Sequence, residues 1–554
     1  MTGRREFLRA AGGALATGFL APGSPFSVPL APLPVPALPS PDQRAWQDLE
    51  VGMFVHFAPN TWQDKEYDDR STPLSALTPD VDTEQWADVA ASLGARYVVL
   101  VAKHVGGFCL WQTDTSRYGV RQLSWKSGAG DVAADLSASC AKRGLGLGIY
   151  LSPRDDTFGA GGGGVCKTPE EQGTYNAIYR QQLTELLTRY GPITEIWFDG
   201  SIVVPVGDIL TAHAPHAMIF QGPHATIRWV GNEDGFAPYP CWNGVARADA
   251  ATGIATALHG DPAGDVWLPN EVDVSLRRPD WFWHTDNEKN VLSLDALLEI
   301  YYRSVGRGAQ LLLNIPPDRT GHIAAADAAR AAEFGAEVKR RFGKSVAETF
   351  GKGENVALDV EPAASVDHVI LEEDIAAGER VRGYRLEGRT ARGWVPLGTG
   401  TAIGHKRIHP VGPLTVTAIR LVVTDHAGSP QIRRIAAFST GSAPPATWNA
   451  PAKIWADDQV AEFTKGPFDL DLTSKIKVAG QYRVRWVPEG GGEVKISGAE
   501  LLLGDVIQFH MAQKAPLRND VLILTIPGLG VTVRLRGEVQ GAEKGVILLQ
   551  RIAG

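Results

Sequence analysis

Between Asp42 and Phe342 the chain alternates short apolar runs with stretches whose apolar positions recur every three or four residues. The runs are Val51–Phe57, Arg96–Ala102, Leu145–Leu151, Thr194–Asp199, Ala217–Gln221, Asp265–Val272 and Gln310–Ile315. Runs this short and this uniformly apolar predict strands buried on both faces. Between them the spacing predicts helices. Asp82–Leu93 opens on a capping aspartate, and Val132–Lys142 ends just before Gly144. Tyr175–Tyr190 stops at Gly191-Pro192, and Leu294–Val305 precedes the last strand. Repeated strand–helix units imply a parallel sheet, and about 300 residues of them imply an irregular (β/α)8-type barrel over residues 42–345. No G-x-G-x-x-G follows the first strand, which argues against an open dinucleotide-binding sheet.

Beyond Lys344 the helical spacing gives way to short alternating runs. Val381–Leu386, Leu414–Val423 and Ile432–Phe438 predict an antiparallel β-sandwich over residues 346–442. A Pro-rich break at Ala443–Pro451 separates it from an additional β-domain, residues 447–554. The expected strands there are Gly480–Val487, Glu493–Ile496, Val521–Ile526, Gly530–Leu535 and Gly545–Leu549. At the other end, Arg4-Arg5 and a weakly apolar, glycine-rich stretch resemble a twin-arginine export signal. A Pro-rich linker from Pro22 to Pro41 follows. This reading makes residues 1–41 an address and places the protein in the periplasm or outside the cell. No segment is long and apolar enough to span a bilayer as a helix.

Composition narrows the chemistry. A net charge of -8 argues against nucleic acid as a partner and suits a neutral or weakly charged substrate. Fifteen Trp supply flat apolar faces, which serve cores and also the C–H faces of sugars. The four Cys (Cys109, Cys140, Cys166 and Cys241) have no C-x-x-C spacing, so no zinc knuckle or redox motif is indicated. One disulfide is open to them in an oxidising compartment. The sequence does not define an oligomeric state.

Catalytic groups of a parallel barrel sit at the carboxyl ends of its strands. Asp199 ends the I-W-F-D-G run beside Trp197, before a glycine that permits a tight turn. Glycoside cleavage needs a second carboxyl, which must hold its proton near neutral pH. Glu233, in W-V-G-N-E-D-G, and Glu271, in L-P-N-E-V-D-V, are both candidates. Either could instead be a structural partner of Arg228 or Arg277. His56 and His104 lack metal-ligand spacing and suit hydrogen bonding to sugar hydroxyls, so neither a metal nor another cofactor is expected.

These motifs, in this order, resemble the α-L-fucosidases of glycoside hydrolase family 29. The resemblance rests on V-G-M-F-V-H-F-A-P-N-T-W at 51–62, V-V-L-V-A-K-H at 98–104 and G-F-C-L-W at 107–111. It continues through G-I-Y-L-S-P-R-D at 148–155, I-W-F-D-G at 196–200 and R-W-V-G-N-E at 228–233. E-V-D-V-S-L-R at 271–277, W-F-W-H at 281–284 and L-L-L-N-I-P-P-D at 311–318 complete it. It implies a retaining exo-α-L-fucosidase with Asp199 as nucleophile, acting on a fucosylated oligosaccharide or glycoconjugate. R-W-V-G-N-E is similar to the branch that cleaves α-1,3/1,4-linked fucose, in which its glutamate is the acid/base; this selects Glu233, with Glu271 as the alternative. The resemblance also places His56, Glu66, His104, Tyr150 and Trp197 around the fucose, with Trp281 and His284 at its border. Departures are Val105, where the family commonly has a second histidine, the glycines Gly106-Gly107 after it, and Glu66-Tyr67 in place of Glu-Trp. Two other readings are a fucoglycan-binding protein without catalysis and a barrel glycosidase for another sugar.

Overall fold

The computed structural model describes residues 36–247, 259–450 and 458–553, the last span with gaps at 477–479, 490–493, 505, 511–520 and 527–531. Arg4-Arg5, most of the Pro-rich linker and Trp455 lie outside the described residues. From Val35 onward the chain forms one compact unit.

The first ten strands are β1 (Val51–Val55), β2 (Tyr97–Lys103), β3 (Gly146–Leu151), β4 (Ile193–Trp197), β5 (Met218–Phe220), β6 (Arg228–Trp229), β7 (Gly244–Val245), β8 (Val266–Trp267), β9 (Asn270–Ser275) and β10 (Gln310–Asn314). Eight of them form one sheet in the order β5-β4-β3-β2-β1-β10-β9-β6, and every neighbouring pair is parallel. A bridge between Phe220 and Ile227 brings the two edges together and closes the ring. Helices pack outside the strands: Thr83–Leu93 and Val132–Lys142 bury Trp86 and Leu136 against the sheet, each opened by a side-chain cap, Asp82 and Asp131. Such caps satisfy N–H groups that the first helical turn leaves unpaired.

Two elements of the barrel differ from the sequence pattern, and in the last sheet the two strands expected at Gly530–Leu535 and Gly545–Leu549 fall on one strand, Val533–Ala553. The run Asp265–Val272 is two strands, not one. Val266–Trp267 pairs antiparallel with Gly244–Val245 outside the barrel, and the barrel strand starts at Asn270. Pro269 lies between them; without an N–H it cannot continue a ladder. The helix expected at Tyr175–Tyr190 is Pro169–Arg189, because Thr168 and Glu171 form a capping box well before the apolar spacing begins.

At the amino ends of the strands, the helix Pro41–Gln47 sends Trp46 into the barrel, where its indole Nε1 donates to Glu195 at 2.7 Å. At the carboxyl ends the barrel mouth is built from loops.

The second sheet follows the order β11-β16-β12-β15-β13-β14, antiparallel throughout. Its strands are β11 (Ala347–Lys352), β12 (Asn355–Glu373), β13 (Val381–Thr390), β14 (Gly393–Gly400), β15 (Arg407–His426) and β16 (Gln431–Phe438). The long pair β12 and β15 shifts register twice, at Asp359/Ala364 and Val366/His368. Such irregularities bend strands, and this β-sandwich has its own apolar core. Ile370, Ile408 and Phe438 also share a core with Tyr301 and Phe334 of the barrel. Across the same seam Tyr302 Oη lies 2.9 Å from His368 Nε2.

The third sheet contains β17 (Asp458–Asp471), β18 (Gly480–Pro488), β19 (Lys495–Leu503), β20 (Val506–His510), β21 (Val521–Ile526) and β22 (Val533–Ala553). All its pairings are antiparallel, and β22 lies at the centre between β18, β19 and β17. Trp486 is buried in its core against Phe468, so its indole face is not open to a sugar. All four cysteines are free thiols. Among the described residues no helix is long and apolar enough to cross a membrane.

Candidate active site

Asp199 stands two residues beyond the end of β4. The chain turns sharply there: Gly200 and Ser201 both have positive φ, 72° and 78°. Ser201 N donates to Phe198 O and to Gln221 Oε1, and these bonds hold the strained turn in place. Asp199 keeps solvent access. Its Oδ2 accepts a hydrogen bond from Tyr150 Oη at 3.0 Å. Desolvation pushes the Asp199 pKa up, while Tyr150 and the nearby Arg154 guanidinium pull it back; the net direction is upward.

Tyr150, the last residue but one of β3, belongs to an aromatic wall. Its ring stacks between His104, 6.0 Å away at 24°, and Trp197, 6.1 Å away at 28°. Trp197 lies flat on Phe220 with centroids 3.5 Å apart. His56 packs 5.2 Å from Trp281 and 6.0 Å from His104.

Asn314, at the end of β10, sets the tautomer of His56. Its Nδ2 donates to Ser275 Oγ at 3.0 Å and to Trp281 O at 2.8 Å. That orientation leaves Oδ1 facing His56 Nδ1 at 2.7 Å, so Nδ1 carries the proton. His56 Nε2 is therefore an acceptor. Burial drives the His56 pKa down to about 3, against a small opposing effect of Asn314. His104 is likewise held well below the ordinary value, by burial first and then by His56 and Arg154. Its Nδ1 is a buried atom without a protein partner. Two neutral imidazoles thus present hydrogen-bonding nitrogens beside Tyr150, the hydrogen-bond partner of Asp199, as a ligand with hydroxyl groups requires.

Glu233 sits in the loop after β6, between two glycines with positive φ, Gly231 and Gly235. Asn232 shapes the turn by accepting from Asp234 N and donating to Phe236 O. Arg278 Nη1 donates to Glu233 Oε2 at 3.1 Å, and its Nη2 donates to Asp234 Oδ1 at 2.9 Å. Burial raises the Glu233 pKa, Arg278 opposes this, and the Asp199 charge adds to the rise. The net direction is upward. The two carboxyls therefore lie within electrostatic reach of each other. Tyr67, at the rim, feels the charges of both.

Glu66 latches two loops together. Its carboxylate accepts from Trp281 N at 3.0 Å and Phe282 N at 3.3 Å, and its Oε1 lies 3.0 Å from His284 Nε2. Burial disfavours the charged form of His284, but Glu66, Asp280 and Asp64 outweigh it and raise its pKa. Glu66, Asp280 and His284 bring potential ligand atoms within 4.8 Å of one another. Glu66 also accepts from the two backbone N–H groups, and Asp280 Oδ2 accepts from Asn287 Nδ2 and Asn290 Nδ2, so the cluster joins several loop segments.

Glu271 is not part of this assembly. It pairs with Gln310 near the start of β9, whereas Ser275 and Asn314 mark the mouth. It is fully buried, accepts from Tyr97 Oη at 3.2 Å and contacts Glu195 across the barrel interior. Glu195 in turn accepts from Trp46 Nε1 and from Trp197 Nε1, the latter at 2.6 Å. Burial and the Glu195 charge push the Glu271 pKa well up, so this pair retains a proton. The arginines do not partner these glutamates as the sequence suggested. Arg228 donates to Leu268 O and Trp242 O, and Arg277 makes a buried ion pair with Asp327.

The remaining predicted residues, His56, Glu66, His104, Tyr150, Trp197, Asp199, Glu233, Trp281 and His284, converge at the mouth. Sequence reasoning passed over Arg154, Asn314 and Arg278. All three sit at the ends of barrel strands or just beyond, inside or next to recognised motifs, and that position was the available signal.

The family model described as alpha-L-fucosidase matches residues 63–341. A putative alpha-L-fucosidase 1 of Oryza sativa subsp. japonica is 34% identical over 472 residues, covering 76% of this chain and 88% of the rice protein. A crystal structure of a putative alpha-L-fucosidase from Bacteroides thetaiotaomicron superposes with a TM-score of 0.67 at 32% identity, over 73% of this chain and 99% of that one. A Ruminococcus gnavus GH29 fucosidase in complex with fucose superposes at 0.65 with 25% identity, over 74% and 96%.

Proposed function

The chain belongs to the α-L-fucosidase family of glycoside hydrolases, and from this we propose that it is a retaining exo-enzyme releasing terminal α-1,3/1,4-linked fucose from glycans. The observation that supports the reading is the pair Asp199 and Glu233 at one barrel mouth, the Asp199 charge raising the proton affinity of Glu233, with Tyr150 bonded to one and Arg278 to the other.

In this reading His56 Nε2 and His104 Nδ1 bond sugar hydroxyls and hold the anomeric carbon over Asp199. Tyr150 occupies Oδ2, which leaves Oδ1 to attack. The C1–O bond to the aglycone breaks as the Asp199–C1 bond forms, and Glu233 gives its proton to the departing oxygen. Glu233, now a carboxylate, takes a proton from water, whose oxygen attacks C1 and frees Asp199. Fucose leaves with its configuration retained. The likeness of R-W-V-G-N-E to the α-1,3/1,4-specific branch supports the linkage. We propose export through the Arg4-Arg5 segment, which fractionation of an Arg4→Lys/Arg5→Lys protein tests.

Incubation with Lewis-type oligosaccharides and with 2-fucosyllactose, followed by NMR of the first-formed fucose anomer, tests the whole reading. Release from the Lewis structures as the α-anomer is expected. Release from 2-fucosyllactose alone would overturn the linkage, and a β-anomer would overturn retention.

A further inference from the structure

Glu233 has two opposed duties in the proposed cycle, and its surroundings do not serve them equally. The groups facing it come from four segments: Asp199 after β4, Tyr67 from the loop after β1, Asp273 on β9, and Arg278 beyond β9, with Asp234 adjacent in its own loop. Trp281 lies within hydrogen-bonding reach as well. Only Arg278 among these is a cation. It is held firmly: its side chain is 15% exposed, its backbone N donates to Ser275 O, and the preceding Arg277 is locked to Asp327 and Asn287. The guanidinium is also shared, with one nitrogen on Glu233 and the other on Asp234.

Resting on the reading of Glu233 as acid/base, we propose that Arg278 is a positioning residue that aims Glu233 at the mouth and favours its carboxylate form, so that it serves the water-activating half-reaction, with Asp234 moderating it by drawing off part of its charge. Before attack, the Asp199 carboxylate opposes Arg278 and raises the proton affinity of Glu233. Once Asp199 is esterified, its negative charge is gone while Arg278 remains. Glu233 then faces Arg278, still shared with Asp234, without the opposing Asp199 charge, and such surroundings favour the carboxylate that a general base requires.

The test is a set of pH–rate profiles on Arg278→Gln, Arg278→Lys and Asp234→Asn, with 4-nitrophenyl and 2,4-dinitrophenyl α-L-fucosides. Arg278→Gln should move the alkaline limb of kcat/KM upward by about one pH unit, the low end for loss of an adjacent opposite charge. It should also lower kcat on the dinitrophenyl substrate about tenfold or more, with recovery on adding azide. Arg278→Lys should shift less, and Asp234→Asn should move the limb downward, a sign that mere structural damage would not produce. An alkaline limb unmoved in both Arg278 variants, or equal losses on both substrates without azide recovery, overturns the proposal. Glu233→Gln separates the two levels: if it keeps the parental alkaline limb, the acid/base reading itself falls and the role of Arg278 falls with it.

Discussion

The barrel holds two pairs of facing carboxyls, and the comparison between them is instructive. Glu195 and Glu271 lie inside, closed over by Trp46 from below and bonded to Trp46, Trp197 and Tyr97. Asp199 and Glu233 lie at the mouth, where Asp199 keeps solvent access and each has an arginine near it, Arg154 or Arg278. Both pairs are pushed toward protonation by burial. The inner pair has the stronger push and no cation among its partners, so its proton is retained and no substrate can reach it. The outer pair is raised as well, but an arginine opposes the rise at each carboxyl. A strongly perturbed carboxyl is therefore a poor guide to chemistry by itself; access and a counter-charge distinguish the proposed catalytic pair from the enclosed one. Trp197 links the two levels, its indole N–H bonded to Glu195 and its ring stacked under Tyr150, which orients Asp199.

Substitutions that erase one pair and not the other should have very unequal effects. Asp199→Ala removes the proposed attacking group and should cut kcat by about 10^4-fold or more with an unchanged melting temperature. Glu271→Gln should stay within about tenfold of the parent enzyme, since it touches no substrate. A comparable loss in both would erase the distinction drawn between the pairs.

Glu233→Gln should cost about 10^2–10^4-fold on substrates with poor leaving groups and far less on α-L-fucosyl fluoride, whose departure needs little protonation. Steady-state rates on the two substrates measure the gap; equal losses would remove Glu233 from the acid role.

Tyr150→Phe deletes one hydrogen bond to a carboxylate, worth about 1.5–3 kcal/mol, and should lower kcat/KM roughly 10–100-fold. Asp199 should lose the group that opposes its raised pKa, so the acid limb should move upward. An acid limb that stays in place would mean that Tyr150 does not govern Asp199.

The smallest effect is on stability. The inner pair binds a proton that the unfolded chain releases near the ordinary carboxyl pKa. Its contribution is complete below that pKa and falls as the pH rises toward the raised folded value, by up to about 1.4 kcal/mol per pH unit. Glu271→Gln removes this loss. Urea midpoints measured from pH 5 to 9 should therefore improve relative to the parent as pH increases; parallel curves would show that no proton is shared there.

Much of this was legible in the sequence, for identifiable reasons. Strands buried on both faces betray themselves as apolar runs, and β1 to β5 and β10 fall within or beside those runs. Asp199 was legible because a strand-end carboxylate followed by glycine is rare among apolar residues. Glu233 was preferred over Glu271 only through the family resemblance, because one-dimensional spacing does not say at which end of a strand a residue lies. That needed the break at Pro269, which starts β9 at Asn270 and leaves Glu271 far below the mouth. Arg278 was hidden for a related reason. Two adjacent arginines look alike in sequence, yet one is buried against Asp327 and the other turns to Glu233.

The most direct measurement is covalent trapping. Incubation with 2-deoxy-2-fluoro-α-L-fucosyl fluoride, digestion and mass spectrometry should find one fucosyl adduct, on the peptide carrying Asp199. An adduct on Glu233, or one that forms equally in Asp199→Ala, would contradict the assignment of the outer pair.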